Sequence, residues 1–381
     1  MTRKFLIGQL ACFGDCLYAT TIAKQIKHDH PDSHVSWAVA SRYRSILELN
    51  PYIDTIWEVP INDGDYYDIG WEKFEKQALL RKDSGEFDEI IFSQIIPFNL
   101  LNFHDTIRST ILSAYGRPIT VSKEPVVRLS AQEVKNVRMF ADKNNVRKYK
   151  QVVLFECEAG SRQSNLNIEH ALNITKAVTA VNKDVCFIMS SSKKANEANP
   201  RIIDASELTY RENAELTKYC TLLVGCSSGI TWISTSDWAK KLPMVQILNK
   251  HFDYFAGVSY DLHMNGLDNR HIIEILSFSE RNIIDCILSV LKGDFTGAKE
   301  KYHEEYVPSK YLQYKIVSSH YMRNREYLAA LAHIFEYKML NRDLSLSLLF
   351  IYYFSGVIKS LLKQIFDKRI RARIKMYIWG K

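Results

Sequence analysis

Apolar and polar positions alternate along the chain in two successive series of strand and helix patterns. Residues 4–10 form a continuous apolar run, the mark of a strand buried on both faces of a parallel sheet. Residues 15–30 place Leu17, Thr21, Ile22 and Ile26 on one helical face. Further strands are predicted at 34–40, 55–59 and 87–93, and helices at 42–49, 71–81 and 103–115. A second series opens with a short strand at 126–129 and a helix at 131–144, striped by Val134, Val137 and Phe140. Strands at 152–155, 184–189, 221–225 and 244–248 then alternate with helices at 168–181, 212–219 and 230–239. Two such series predict an α/β protein of two doubly wound, Rossmann-like halves, residues 1–125 and 126–277, facing each other across a cleft. From about residue 278 to 381 the pattern is helical only, so a helical extension is expected there.

Charge sharpens this division. The 381-residue chain carries a net +7, and residues 359–381 alone hold eight Lys/Arg and one Asp, so the other 358 residues are neutral. A neutral body argues against a nucleic-acid surface, which needs a basic face on the folded domain. The seven cysteines are odd in number, and several sit in apolar runs such as 185–188, as small core residues of a reducing compartment do. Cys12 and Cys16 lack a second Cys or His pair, so no metal site is expected there. Residues 344–358 carry no charge but are short for a membrane span, which needs ~20 residues. Beyond them Leu361, Leu362, Ile365 and Phe366 alternate with Lys and Arg at helical spacing. That reads as a basic amphipathic helix on a membrane surface, at the inner face of a cytoplasmic membrane, or as a helix packed on its own body.

Each half offers a strand, a sharp turn and a helix start, the place where open α/β sheets bind ligands and where helix N-termini favour phosphate. The turns are Ala11-Cys12-Phe13-Gly14-Asp15 in the first half, and Ala159-Gly160-Ser161-Arg162 and Gly225-Cys226-Ser227-Ser228-Gly229 in the second. The opening Ile7-Gly8-Gln9-Leu10-Ala11-Cys12-Phe13-Gly14-Asp15, followed by Thr20-Thr21, resembles the heptosyltransferases, glycosyltransferase family 9. So does the run Tyr43-Arg44, Leu47-Glu48 and Asn50-Pro51-Tyr52-Ile53-Asp54.

That resemblance covers about residues 4–275 and implies a GT-B fold, with acceptor on the first half and nucleotide-sugar donor on the second. It implies inverting, metal-independent transfer to a glycan or lipid-linked glycan, as in lipopolysaccharide assembly, without a cofactor. Asp15 falls on the family's general base, and Gly14 lies on the acceptor side. Gly160 and Ser161 fall on its small-residue phosphate contact, Arg162 is a cation for the leaving diphosphate, and Ser227, Ser228 and Gly229 lie at its donor turn. The chain departs from the family at that turn: Ser227 stands for its Asp, Ile230 for its Pro and Trp232 for its His.

Other readings of the same residues exist. Asp15 also suits a helix N-cap. Gly225-x-Ser227-x-Gly229 matches a nucleophile elbow, with Asp261, His263 and His271 downstream. Asp63-Gly64-Asp65 has metal-binding spacing but is a plain turn signal too. Tyr66, Tyr67, Trp71 and Phe74 suit either sugar stacking or a core. The alternatives to transfer are a GT-B nucleotide-sugar epimerase, or a degenerate homologue that binds glycan or scaffolds an envelope complex.

Overall fold

The computed structural model describes residues 2–61, 69–95, 106–158, 163–251 and 256–379. It divides into two compact units, Met1–Val307 and Pro308–Lys381.

The first unit holds two parallel sheets. The first half runs β1 (Lys4–Gly8), α1 (Phe13–Asp29), β2 (His34–Ala40), β3 (Thr55–Val59), α2 (Ile69–Asp83), β4 (Glu89–Phe92) and α3 (Ile107–Ser113). Its strands lie in the order β3-β2-β1-β4. The second half runs α4 (Ala131–Lys143), β5 (Gln151–Glu156), α5 (Ile168–Val181), β6 (Val185–Ser190), β7 (Ile202–Asp204), α6 (Glu212–Leu216), β8 (Leu222–Gly225), α7 (Gly229–Ile233), β9 (Met244–Ile247), α8 (Val258–Met264), β10 (Ile272–Ile275), α9 (Glu280–Leu291) and α10 (Phe295–Tyr302). Its order is β10-β9-β8-β5-β6-β7, parallel throughout. The strand order reverses beside β1 in one sheet and beside β5 in the other, so the crevices at these strands' carboxyl ends are the natural ligand positions.

The apolar runs form strands because both faces are covered: every residue of β6 is buried, and Phe5, Leu6 and Ile7 of β1 are fully so. Ile283, Cys286, Ile287 and Leu291 of α9 join the core of the second sheet. The helices at 280–302 therefore cover that sheet, and the compact unit runs to Val307 rather than ending at 277.

Three expected elements differ. Residues 126–129 make no strand, because the Val126 N–H donates to Thr20 Oγ1 (2.8 Å) and the Val127 N–H to Asp237 Oδ1 (3.1 Å). Side chains of both halves thus take the donors that a ladder would use. The helix expected at 230–239 stops at Ile233; the Ser234 and Thr235 hydroxyls bond back to Ile230 O and Trp232 O, the local competition that shortens Ser/Thr-rich helices. Residues 42–49 make a 3-10 turn, Ser41–Leu47.

The second unit is α11 (Lys310–Asn324), α12 (Tyr327–Leu340) and α13 (Leu346–Trp379), around a small core that includes Tyr314, Ile334, Tyr337 and Leu349.

Candidate active site

The turn after β1 is held from below by two buried amides. Gln94 Oε1 accepts from the Leu10 and Ala11 N–H groups, each at 3.0 Å, and from Gln9 Nε2 at 2.9 Å. Gln9 is the polar residue inside the first apolar run, and its carbonyl also accepts from Trp37 Nε1. The chain then passes through Cys12 at φ 66°, a left-handed conformation that costs a non-glycine residue roughly 1–3 kcal/mol and persists only where the surroundings impose it.

Helix α1 begins immediately after, with Cys12 at the N-cap and no side-chain cap bond. Asp15 is therefore not the cap; it lies in the first helical turn. Among the described residues its carboxyl has no hydrogen-bond or ion-pair partner. It is half-buried, and desolvation pushes its pKa up to about 7.

The second half closes over this turn. Gly14 lies against Trp232, 3.6 Å from the place of a Cβ to Trp232 Cδ1. Phe13 stacks on Tyr210 with centroids 4.5 Å apart, and Tyr18 meets Trp232 edge-on at 5.2 Å. A fully buried ion pair joins the halves nearby: Arg108 Nε of α3 donates to Asp261 Oδ1 of α8 at 2.8 Å. The Arg108 guanidinium lies over the Tyr18 ring at 4.6 Å. Arg211, also buried, ties the first half to the second as well. It donates to Glu133, to the carbonyls of Ser45 and Glu48 (2.7 Å each), and to Arg128 O.

The turn after β8 is satisfied from within. Glu156, the last residue of β5, sends its carboxylate into it. Glu156 Oε1 accepts from the Ile230 and Thr231 N–H groups (2.8 and 3.3 Å), and Oε2 from the Cys226 N–H (3.0 Å) and Thr231 Oγ1 (2.7 Å). Gln246 Oε1 accepts from the Ser227 N–H at 2.9 Å. Ser227 is buried at φ 53°, and its hydroxyl donates to Gln163 Oε1 (3.3 Å) rather than to a histidine. Asp261 is committed to Arg108 rather than to a histidine. Gly229 is covered by Tyr210, whose ring would stand 2.6 Å from a Cβ and whose hydroxyl donates to Gly229 O. Among the described residues, the N–H groups of Ser228 and Gly229 and the Ser228 hydroxyl have no hydrogen-bond partner.

Gly160, Ser161 and Arg162 lie outside the described residues, as do Asp63, Asp65, Tyr66 and Tyr67. Trp71 and Phe74 are buried in the core of the first sheet with Leu6 and Phe92, and are not a sugar platform. All seven cysteines are free thiols, six of them buried. Among the described residues no cluster of three His, Cys, Asp or Glu side chains is arranged to hold a metal ion.

Glu156, Gln94, Gln246 and Arg108 were not singled out by the sequence. Glu156 and Gln246 carry one common signal, a lone polar residue in or at the end of a buried apolar strand, and Gln94 follows such a strand behind Ser93. Arg108 had none.

No protein-family model matches the sequence, and no curated protein does either. Solved structures match in fold. The glycosyltransferase family 9 protein from Veillonella parvula is similar over 79% of this chain and 94% of its own, at TM-score 0.53 and 13% identity. The E. coli ADP-heptose lipopolysaccharide heptosyltransferase II is similar over 78% and 99%, at 0.51 and 12%. The E. coli heptosyltransferase WaaC, solved with ADP-2-deoxy-2-fluoro heptose, is similar over 76% and 99%, at 0.50 and 8%. At such identities the likeness is one of architecture, and it agrees with the motif resemblance around Asp15: this chain has the two-sheet, GT-B-type α/β fold seen in the family 9 glycosyltransferases.

Proposed function

We propose that the protein is a glycosyltransferase that moves a sugar from a nucleotide-diphosphate donor to a glycan or lipid-linked glycan hydroxyl, with inversion and without a metal. One observation carries the reading. Asp15 is a carboxyl without a partner among the described residues, at the sheet's switch point and against the other half, with its pKa raised to about 7. A general base works best with a pKa near the working pH. Asp15 takes the acceptor proton as the hydroxyl oxygen forms its bond to the anomeric carbon. The opposite bond, to the diphosphate oxygen, breaks, and the electron pair leaves with the phosphate. Gly14 lies on the proposed acceptor side. Ser228 and Gly229, with Gly160, Ser161 and Arg162, are the proposed donor contacts. The ADP-sugar in the WaaC structure supports a nucleotide-sugar as the donor class.

A second reading, binding without transfer, has one observation in its favour: the Glu156 carboxylate already takes the N–H groups and repels a diphosphate at its turn. A thermal-shift panel of nucleotide-sugars, followed by product analysis with and without chelator, separates the two. Transfer predicts stabilisation by at least one donor, and product that survives chelator. The absence of both leaves the binding reading.

A further inference from the structure

Helix α13 contains an 18-residue stretch, Leu346–Lys363, long and apolar enough to cross a membrane. Its packing argues for another use. One side of the helix is committed to the other two helices of its unit. Leu349 is fully buried, Tyr353 Oη donates to Tyr327 O, Ser360 Oγ donates to Met322 O, and Gly356 lets Met322 approach closely. To cross a bilayer in this packing, α13 would carry α11 and α12 with it. The exposed Lys315, Arg325, Glu326 and Glu336 would then enter hydrocarbon, at several kcal/mol each.

The opposite side is apolar and uncovered. Ile351, Phe354, Ile358 and Leu361, spaced three and four apart, are all at least 46% exposed. Phe335 and Met339 of α12 are exposed too, and the stripes join, since Phe335 meets Phe350 edge-on and Phe350 stacks with Phe354. Lys359 and Lys363 lie within this stretch of α13, and the sequence from 359 to 381 adds the charge of +7 that the rest of the chain lacks. An apolar face joined to a cationic helix complements an anionic lipid surface, which supplies hydrocarbon at shallow depth and negative headgroups around it.

We propose that α12 and α13 dock on an anionic membrane surface, with the Phe335–Phe354–Ile358 face inserted and the helices lying along the bilayer rather than crossing it. The proposal rests on the second unit alone and stands whether or not Asp15 is a catalytic base. The test is sedimentation of the full chain with phosphatidylcholine vesicles, with and without phosphatidylglycerol.

Binding is expected only with the anionic lipid, weakened by salt and reversed by alkaline carbonate. Phe354→Glu with Ile358→Glu, both exposed, should keep helix content and melting temperature but lose vesicle affinity at least tenfold. Lys359→Glu with Lys363→Glu should lose about tenfold or more at low salt and little at high salt, since each basic residue near the surface contributes about fivefold. Equal binding to neutral vesicles, resistance to carbonate extraction, or vesicle affinity unchanged in both double variants overturns the proposal. So does a stable dimer that the Phe354 and Ile358 changes dissociate without touching vesicle binding, which would assign the face to a second copy.

Discussion

The turn after β1 and the turn after β8 are built to one plan. Each leaves a central strand, passes one non-glycine residue at positive φ, Cys12 or Ser227, and enters a helix that packs against the other half. They differ in what satisfies them. After β8, donors at Cys226, Ser227, Ile230 and Thr231 all find acceptors within the same half, four of the bonds ending on Glu156. Neither helix is capped by its own N-cap side chain, but after β1 the first-turn carboxyl of Asp15 has no partner among the described residues. Unpaired buried polar groups are costly and so are rarely kept without use. The contrast fits the proposed function, in which Asp15 of the first half is the base, and it makes the second turn chiefly a structural knot.

The largest test breaks the clamp that holds the turns face to face. Arg108→Ala leaves Asp261 buried without its cation and should cost about 3–5 kcal/mol in denaturant unfolding. Replacing both residues with apolar ones of similar size should recover most of it. A loss under about 1 kcal/mol would mean that the pair does not fix the interface.

Asp15→Asn comes next. Turnover should fall by ~10²-fold or more with donor affinity and folding intact. Normal turnover would erase the distinction between the turns.

Glu156→Gln sets one amide N–H against the donors that now meet a carboxylate, for about 1–3 kcal/mol of stability. If a donor diphosphate also visits that turn, nucleoside diphosphate should bind the variant more tightly, by calorimetry. Unchanged or weaker binding keeps the turn structural.

The smallest effect is in pH. Burial raises Asp15 and Glu274 to about 7 each, so both hold protons more tightly in the folded chain than in the unfolded one. Stability should fall as pH rises between about 4 and 7, and less steeply in Asp15→Asn. The rate should rise through about pH 7 as Asp15 loses its proton.

The sequence carried the sheet-forming strands well, because continuous apolar runs leave few alternatives: 34–40 and the helix at 168–181 fall as expected. The strand, turn and helix start around Asp15 were legible because that pattern is local, and Asp15 lies in the first turn of α1. Short β7, of three residues, was too brief for periodicity to mark, while β10 was missed although it is as long as β8 and β9, which were found. Glu156 was read past because its partners are 70 to 75 residues away, and the Arg108–Asp261 pair spans 153. Polar contacts at such separation leave no spacing to read. Ser227 lies at the expected turn, and only its burial and its hydroxyl bond to Gln163, 64 residues away, show it turned inward.

The Arg211 strap has a consequence in time. The carbonyls of Ser45 and Glu48 belong to the first sheet's half, yet their guanidinium partner sits more than 160 residues later in the chain. On a ribosome that adds ~5–20 residues per second, the first half emerges seconds before the residue that completes it. It must wait in a state where those groups face water and the faces of α1 and α3 remain bare. The two halves should then mature as one cooperative body, and a fragment ending in the linker after α3 should aggregate rather than fold.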